Sequence, residues 1–457
     1  MTARADATST AHAGMKPAAA TIMAATDKLG LATGATQASA DALCDRAVER
    51  HRDGEPERAV AACVEALAID PGHGPARLNL ACILRELDRL EEAVVHATRA
   101  EAVGLARGDQ GLVVDARFNR GLARLGLGEL AEGWADWNAR LGQPQWTRFD
   151  PARRWNGEPL AGRRLVVRRE QGIGDELFFA TCYKALLRRC GGPGGGPVAI
   201  ECDLRIQAAL ARALLGVALP GVALPDVALH GIDTVAGRAA AQSGLPLPAG
   251  ARRAPEGDLW VAAGSLPGLL GRPVDLPPDG ALLAPLPALA TRWRQRLDAL
   301  PGAGPVVGLC WRSSMASGRR DRLQAAIGDL APLLQLPDIR PAGLQIGPRP
   351  GELAEAEALA GRKLETFPEL DLANDFEQAL ALVAACDLVI AVGTWIVPLA
   401  GMVGTPVWYL MPLRDYWTVG TDTIPWFDDM RCYDAREGRF VGAAARMAQD
   451  FRLEGWR

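Results

Sequence analysis

The apolar residues of this chain fall into two textures. From Ala42 the chain repeats itself: Ala42–Pro75 and Ala76–Asp109 align without gaps at a period of 34 residues. A third copy begins at Ala116 after a six-residue insertion, Gln110–Asp115, which is expected to distort its start. Small residues recur at Ala47, Ala81 and Gly121, and again at Ala59, Ala93 and Gly133. Paired helices approach closely only where side chains are this small, so a helical hairpin array is expected. Its turns should fall at Asp53-Gly54-Glu55-Pro56, Asp88-Arg89 and Leu127-Gly128, with Asp70-Pro71 closing the first repeat.

From Arg163 the pattern changes to short apolar runs alternating with helical stretches. Strands are expected at Leu165–Val167, Val198–Ile200, Trp260–Ala262, Val306–Leu309, Ala342–Gln345, Leu388–Val392 and Val407–Leu410. Helices fit Glu176–Cys190, Ala288–Leu300, Asp375–Ala385 and Trp395–Val403. This alternation implies parallel sheets and an α/β architecture. Between the two textures lies a bridge rich in tryptophan and proline, with Trp134, Trp137, Trp146 and Trp155, suited to packing one domain against the next. The Pro- and Gly-rich Leu266–Pro287 reads as a boundary between two α/β units. The expected organisation is therefore a disordered tail (1–40), helical repeats (41–142), the bridge (143–162), and α/β domains at 163–286 and 287–457.

Composition narrows the functional classes. The chain is 49% hydrophobic and 23% charged with a net charge of −4, which argues against a general nucleic-acid or membrane-surface binder. Nine cysteines without a C-x-x-C pair fit a reducing, cytoplasmic setting better than disulfides or zinc. No histidine lies beyond His230, which excludes a His-rich metal centre in the C-terminal half. No apolar run reaches the ~18 residues needed to span a bilayer. No metal or cofactor is expected.

Four loops that follow strands carry the candidate chemistry, where open α/β sheets place ligands. The first contains Gln171, Gly172, Gly174 and Asp175. It lacks the third glycine of a dinucleotide fingerprint, Leu177 standing there, and Asp175 also fits a plain helix cap. The second, Trp311-Arg312-Ser313-Ser314, with Arg319, Arg320 and Arg322 behind it, suits a phosphate-bearing ligand or a solvated basic loop. Gln345 in the third, Gln345-Ile346-Gly347-Pro348, could read a nucleobase edge. In the fourth, Gly393 and Thr394 open a helix whose free N–H groups favour a phosphate. Strand–Gly–helix turns also occur as plain connections.

The repeat period and small positions resemble the tetratricopeptide repeat, although its large aromatic positions are mostly Leu, Arg or Cys here. Glu170–Asp175, Ile200–Asp203, Val307–Arg312, Leu344–Gly347, Asp371–Gly404 and Pro406–Trp408 come in an order that resembles bacterial tetratricopeptide glycosyltransferases. These are similar to the heptosyltransferase-type, glycosyltransferase family 9-like enzymes. The resemblance implies a GT-B fold of two Rossmann-like domains, the first on the acceptor side. It implies Asp175 as catalytic base, with Trp311, Arg312, Ser313, Gln345, Gly393, Thr394 and Leu399 around the nucleotide sugar. The family turn usually reads Asp-Thr/Ser-x-x-x-His-Leu-Ala-Gly, whereas Gly393 and Pro398 stand here for the acid and the histidine.

The expected activity is thus an inverting, metal-independent glycosyltransferase. It would use a nucleoside-diphosphate sugar as co-substrate and a protein, peptide or glycan acceptor, held in part by the repeats. The alternatives are a non-catalytic scaffold on the same fold and a nucleotide-dependent enzyme of another class.

Overall fold

A computed structural model describes residues 37–192, 194–215, 227–232, 256–271, 281–314, 321–436 and 439–454. Most of the expected tail, together with Arg319 and Arg320, lies outside the described residues. The chain divides into two compact units, Met1–Arg120 and Gly121–Arg457.

The first unit is built from antiparallel helix pairs. Helices α1 (Gln37–Arg52) and α2 (Pro56–Ile69) form one hairpin, and α3 (Gly74–Glu86) and α4 (Leu90–Arg107) the next. Ala47, Ala59, Ala81 and Ala93 are all buried, as close pairing requires. The turns fall where the sequence places them. The insertion does not distort the third copy: it is helical, and α5 (Gln110–Leu127) begins at its first residue. The inserted residues form the first turns of α5, which runs for 18 residues where α3 has 13.

The second unit opens with the end of α5 and helix α6 (Leu130–Trp137). Here the small positions are glycines because backbones touch. A β-carbon on Gly121 would lie 2.5 Å from the Trp137 backbone nitrogen, and one on Gly133 would lie 2.9 Å from the Leu125 side chain. Trp134, Trp137 and Arg140 are buried inside this unit, which begins at Gly121. The Trp137 indole donates to the Gly264 carbonyl at 2.7 Å, and Trp134 meets Trp426 edge-on at 6.2 Å. Trp146 stacks on Trp260 at 5.8 Å. The Trp155 backbone N–H bonds the Trp260 carbonyl at 2.8 Å, extending the sheet edge by a single parallel bridge.

Two parallel sheets follow. The first contains β1 (Leu165–Arg168), β2 (Val198–Asp203), β3 (Val227–Ile232) and β4 (Leu259–Ala262) in the order β3-β2-β1-β4. The second contains β5 (Val306–Cys310), β6 (Arg340–Gly343), β7 (Leu388–Ala391), β8 (Val407–Met411) and β9 (Met430–Asp434) in the order β6-β5-β7-β8-β9. Strands β1, β2, β4, β5, β7 and β8 are buried along their whole length, which is why they open on apolar runs, with buried charges only at Arg168 in β1 and Glu201 and Asp203 in β2.

The expected helix Glu176–Cys190 is two helices, α7 (Ile173–Ala180) and α8 (Tyr183–Cys190). They part where the Thr181 hydroxyl donates to the Phe178 carbonyl at 2.7 Å, a bond that competes with helix continuation. Then come α9 (Gln207–Leu215), α10 (Leu266–Leu270), α11 (Pro287–Asp298), α12 (Ala331–Leu334), α13 (Glu352–Ala360), α14 (Phe376–Ala384), α15 (Ile396–Val403) and α16 (Phe440–Glu454). Helix α10 occupies the start of the segment read as a boundary.

Candidate active site

Both sheets reverse their strand order beside a central strand: β1 lies between β2 and β4, and β5 between β6 and β7. Loops leaving the carboxyl ends at such a switch point frame a crevice. The loop after β1 carries Gln171, Gly172 and Asp175, and the turn after β7 carries Gly393 and Thr394.

These two loops meet. A β-carbon on Gly174 would stand 3.2 Å from the Trp395 α-carbon, tighter than ordinary contact, so a side chain there would have to push Trp395 back by a few tenths of an ångström. Trp395 in turn stacks on Phe376 at 6.0 Å. Gln171, exposed, is held at φ 62, a left-handed conformation that is uncommon for a residue with a side chain.

Asp175 sits in the first turn of α7. One carboxylate oxygen accepts the Gly172 N–H at 3.3 Å, so the capping role open to it from sequence is real. The other accepts the hydroxyl of Tyr416, which follows β8. Burial pushes the Asp175 carboxyl above its ordinary range, against the lowering pull of the Tyr416 hydroxyl. The same burial and the adjacent carboxylate push the Tyr416 phenol well up, so the proton of this pair stays on the tyrosine. Tyr416 also packs against Trp137 at 5.1 Å, Phe178 at 5.7 Å and Phe179 at 6.2 Å.

Glu176 points away from this site. It is fully buried, takes the Arg169 Nε–H at 2.9 Å and the Asp203 backbone N–H at 2.5 Å, and is pushed up to about 7 by burial. Asp203 grips Arg205 through both of its oxygens at 2.9 Å, and Arg205 donates to the Ala373 carbonyl at 2.7 Å, linking the two sheet layers.

The loop after β5 differs from its expected use. Trp311 is fully buried in the core of the second sheet layer and has no surface for a ligand. Arg312 is 6% exposed; its Nε and Nη2 fork onto Glu352 at 2.8 and 3.0 Å, and Nη2 also bonds the Gly347 carbonyl at 2.7 Å. Its charge is thus satisfied within the protein. Gln345 accepts the Trp311 and Arg312 backbone N–H groups at 3.1 and 3.0 Å and donates to the Arg312 and Ile346 carbonyls at 2.9 and 3.0 Å. Its amide has no capacity left for a base edge. Ser313 is half-buried, its carbonyl facing Arg312 at 3.4 Å. Leu399 is fully buried in α15, so it supports the turn without facing a ligand.

Gly393 is exposed and Thr394 half-buried at the start of α15, with the Thr394 hydroxyl 3.5 Å from the Cys310 sulfur. Pro398 is buried within the helix. Beside β6 a cavity of about 280 Å³ is lined by Gln345–Pro348, Thr366, Phe367 and Asp371. Tyr416 and Glu352 escape the sequence reading. No spacing rule ties residue 416 to 175 or 352 to 312, and only their positions just after β8 and at the head of α13 could have drawn attention.

Among the described residues, no cluster of His, Cys, Asp and Glu could hold a metal ion, and no helix is long and apolar enough to cross a membrane.

The architecture defines a class: helical repeats followed by two Rossmann-like parallel layers whose loops meet at a shared crevice. Residues 51–100 match the tetratricopeptide repeat family. The chain is 30% identical over 379 residues to protein FlbA of Caulobacter vibrioides, an alignment covering 81% of this chain. It spans 59% of the length of that relative. Among solved structures it is similar to a Thermobaculum terrenum O-GlcNAc transferase mutant at 15% identity and TM-score 0.30, covering 93% of this chain and 92% of that one. It is also similar to E. coli heptosyltransferase WaaC with ADP, at 14% identity and TM-score 0.38, covering 64% and 99%.

Proposed function

We propose that this chain is a glycosyltransferase moving a sugar from a nucleoside-diphosphate donor to a protein or glycan acceptor with inversion and without metal. The observation that carries this reading is the meeting of the Asp175 loop with the Gly393-Thr394 turn, one from each sheet layer, at the Gly174–Trp395 contact. A carboxylate and an anion-binding helix start side by side suit one displacement step. Asp175 takes the acceptor hydroxyl's proton as that oxygen bonds the anomeric carbon. The bond to the diphosphate breaks with its electron pair leaving on phosphate, stabilised by the Thr394 hydroxyl and the Ile396 N–H at the head of α15. The absence of any Asp-x-Asp in the α/β region supports metal independence. With Arg312 held by Glu352, the diphosphate falls to the turn at Thr394, and the cavity beside β6 is the place for the base.

The non-catalytic reading also has an observation in its favour: the Asp175 carboxylate is already bonded by Tyr416 and Gly172, and Gly393 and Pro398 replace the family's acid and histidine. Purified protein offered a panel of nucleotide sugars separates the two. Release of diphosphate or transfer from at least one donor is expected. Tight diphosphate binding with no turnover from any donor would leave the scaffold reading in its place.

A further inference from the structure

A second cavity, of about 240 Å³, opens beside the β1 loop and takes no part in the step above. Its wall includes Arg168 at the end of β1, Arg169 and Gln171 from the loop, and Gln143, Gln145 and Arg148 from the tryptophan-rich bridge. Four arginines and two glutamates line it. Both glutamates are already bonded to arginine: Glu170 forks onto Arg140 at 2.7 and 2.5 Å, and Glu201 takes Arg168 Nη1 at 2.7 Å. Arg169 is likewise bonded to Glu176 at 2.9 Å, so the lining side chains carry more basic than acidic groups although three of the four arginines are ion-paired.

Arg168 is the residue to explain. It is 7% exposed, and its guanidinium lies 4.8 Å from the Phe149 ring. Its Nε–H is buried with no hydrogen-bond partner among the described residues. Leaving a donor on a charged, desolvated group unmatched is costly, and arginine's fork suits a two-oxygen acceptor. A protein with Leu or Val at the end of β1 would avoid that cost.

We infer that this cavity is an oxyanion site that takes a carboxylate or phosphate group through Arg168, with the glutamines as neutral donors around it. On the transferase reading, which this last step rests on, the anion belongs to the acceptor. Gln171 lines the cavity and shares the β1 loop with Asp175, so a bound anion would anchor an acidic acceptor next to the base. The binding itself needs no donor and no turnover.

The test is calorimetric titration of the full chain, without donor, using inorganic phosphate in one series and glucuronate in another. Saturable binding of at least one is expected, and which of the two binds more tightly distinguishes phosphate from carboxylate. Arg168→Gln should weaken it about ten- to a hundred-fold. Glu201→Gln should strengthen it, because it removes the carboxylate that competes for Arg168. A purely structural Arg168–Glu201 pair predicts no such opposite signs. If Arg168→Gln does not fold, Glu201→Gln alone decides: tighter binding supports the site, and unchanged or weaker binding overturns it. Absence of saturable binding by the wild type overturns it as well.

Discussion

Asp175 and Glu176 are adjacent carboxylates in different surroundings, and the difference decides what each can do. Asp175 lies at the crevice with a hydroxyl and an N–H holding its two oxygens. Glu176 is sealed between Arg169 and the end of β2, where burial raises it from its ordinary 4.5 to about 7. A carboxyl whose folded pKa is raised binds its proton more tightly in the native state. Its contribution to stability is therefore full below about 4.5 and lost as pH rises through about 7. Compared with Glu176→Gln, the wild type should lose stability on the order of 3 kcal/mol across that window. Denaturant melts of both proteins at several pH values measure this; parallel stability profiles would mean that folding does not raise the Glu176 carboxyl. The residue types at Arg312 and Gln345 were legible as polar groups at strand ends. What they do was not, because their partners lie far along the chain: Glu352 for Arg312, and the backbone of residues 311–312 for Gln345.

Between elements, legibility followed burial. Strands covered on both faces open on apolar runs and were found, whereas β9 buries only Met430 and Tyr433 among more polar neighbours and was missed. Strand β3, Val-Ala-Leu-His-Gly-Ile, lies in a Leu- and Pro-rich stretch that masks its period. The glycine loop after β1 was legible as a tight turn, but the need for Gly174 itself is tertiary. It admits Trp395, which lies 221 positions further along the chain and is brought near only by the fold. Gly174→Val should push the turn at Trp395 away at a cost of about 1–3 kcal/mol, and turnover should fall more than stability explains. Thermal melts beside steady-state rates check this, and a variant with normal turnover would separate the two loops functionally. The bridge shows the opposite case, where composition foretold packing. Arg140 and Glu170 form a pair that is almost wholly buried, with side-chain exposures of 1% and 5%, and Trp137 bonds Gly264 in the same region. Removing one partner of such a pair typically costs about 3–5 kcal/mol.

At the scale of the molecule, the repeats supply one compact unit, and the residues after them build a second in which two parallel layers share a crevice. The hydrophobic rhythm revealed this plan, since period, small-residue spacing and strand–helix alternation are local properties. The location of the chemistry is a property of the assembled second unit and depends on two loops 221 residues apart, at Gly174 and Trp395, reaching one another. The central claim is that Asp175 serves turnover at this crevice while the helix start at Thr394 holds the donor. The most direct measurement is the single-turnover transfer rate of Asp175→Asn against wild type at equal donor occupancy. That substitution keeps the shape and an oxygen for the Gly172 N–H. The expected result is a rate lower by about 10²–10⁴-fold with donor affinity little changed; a rate equal to wild type would contradict the assignment.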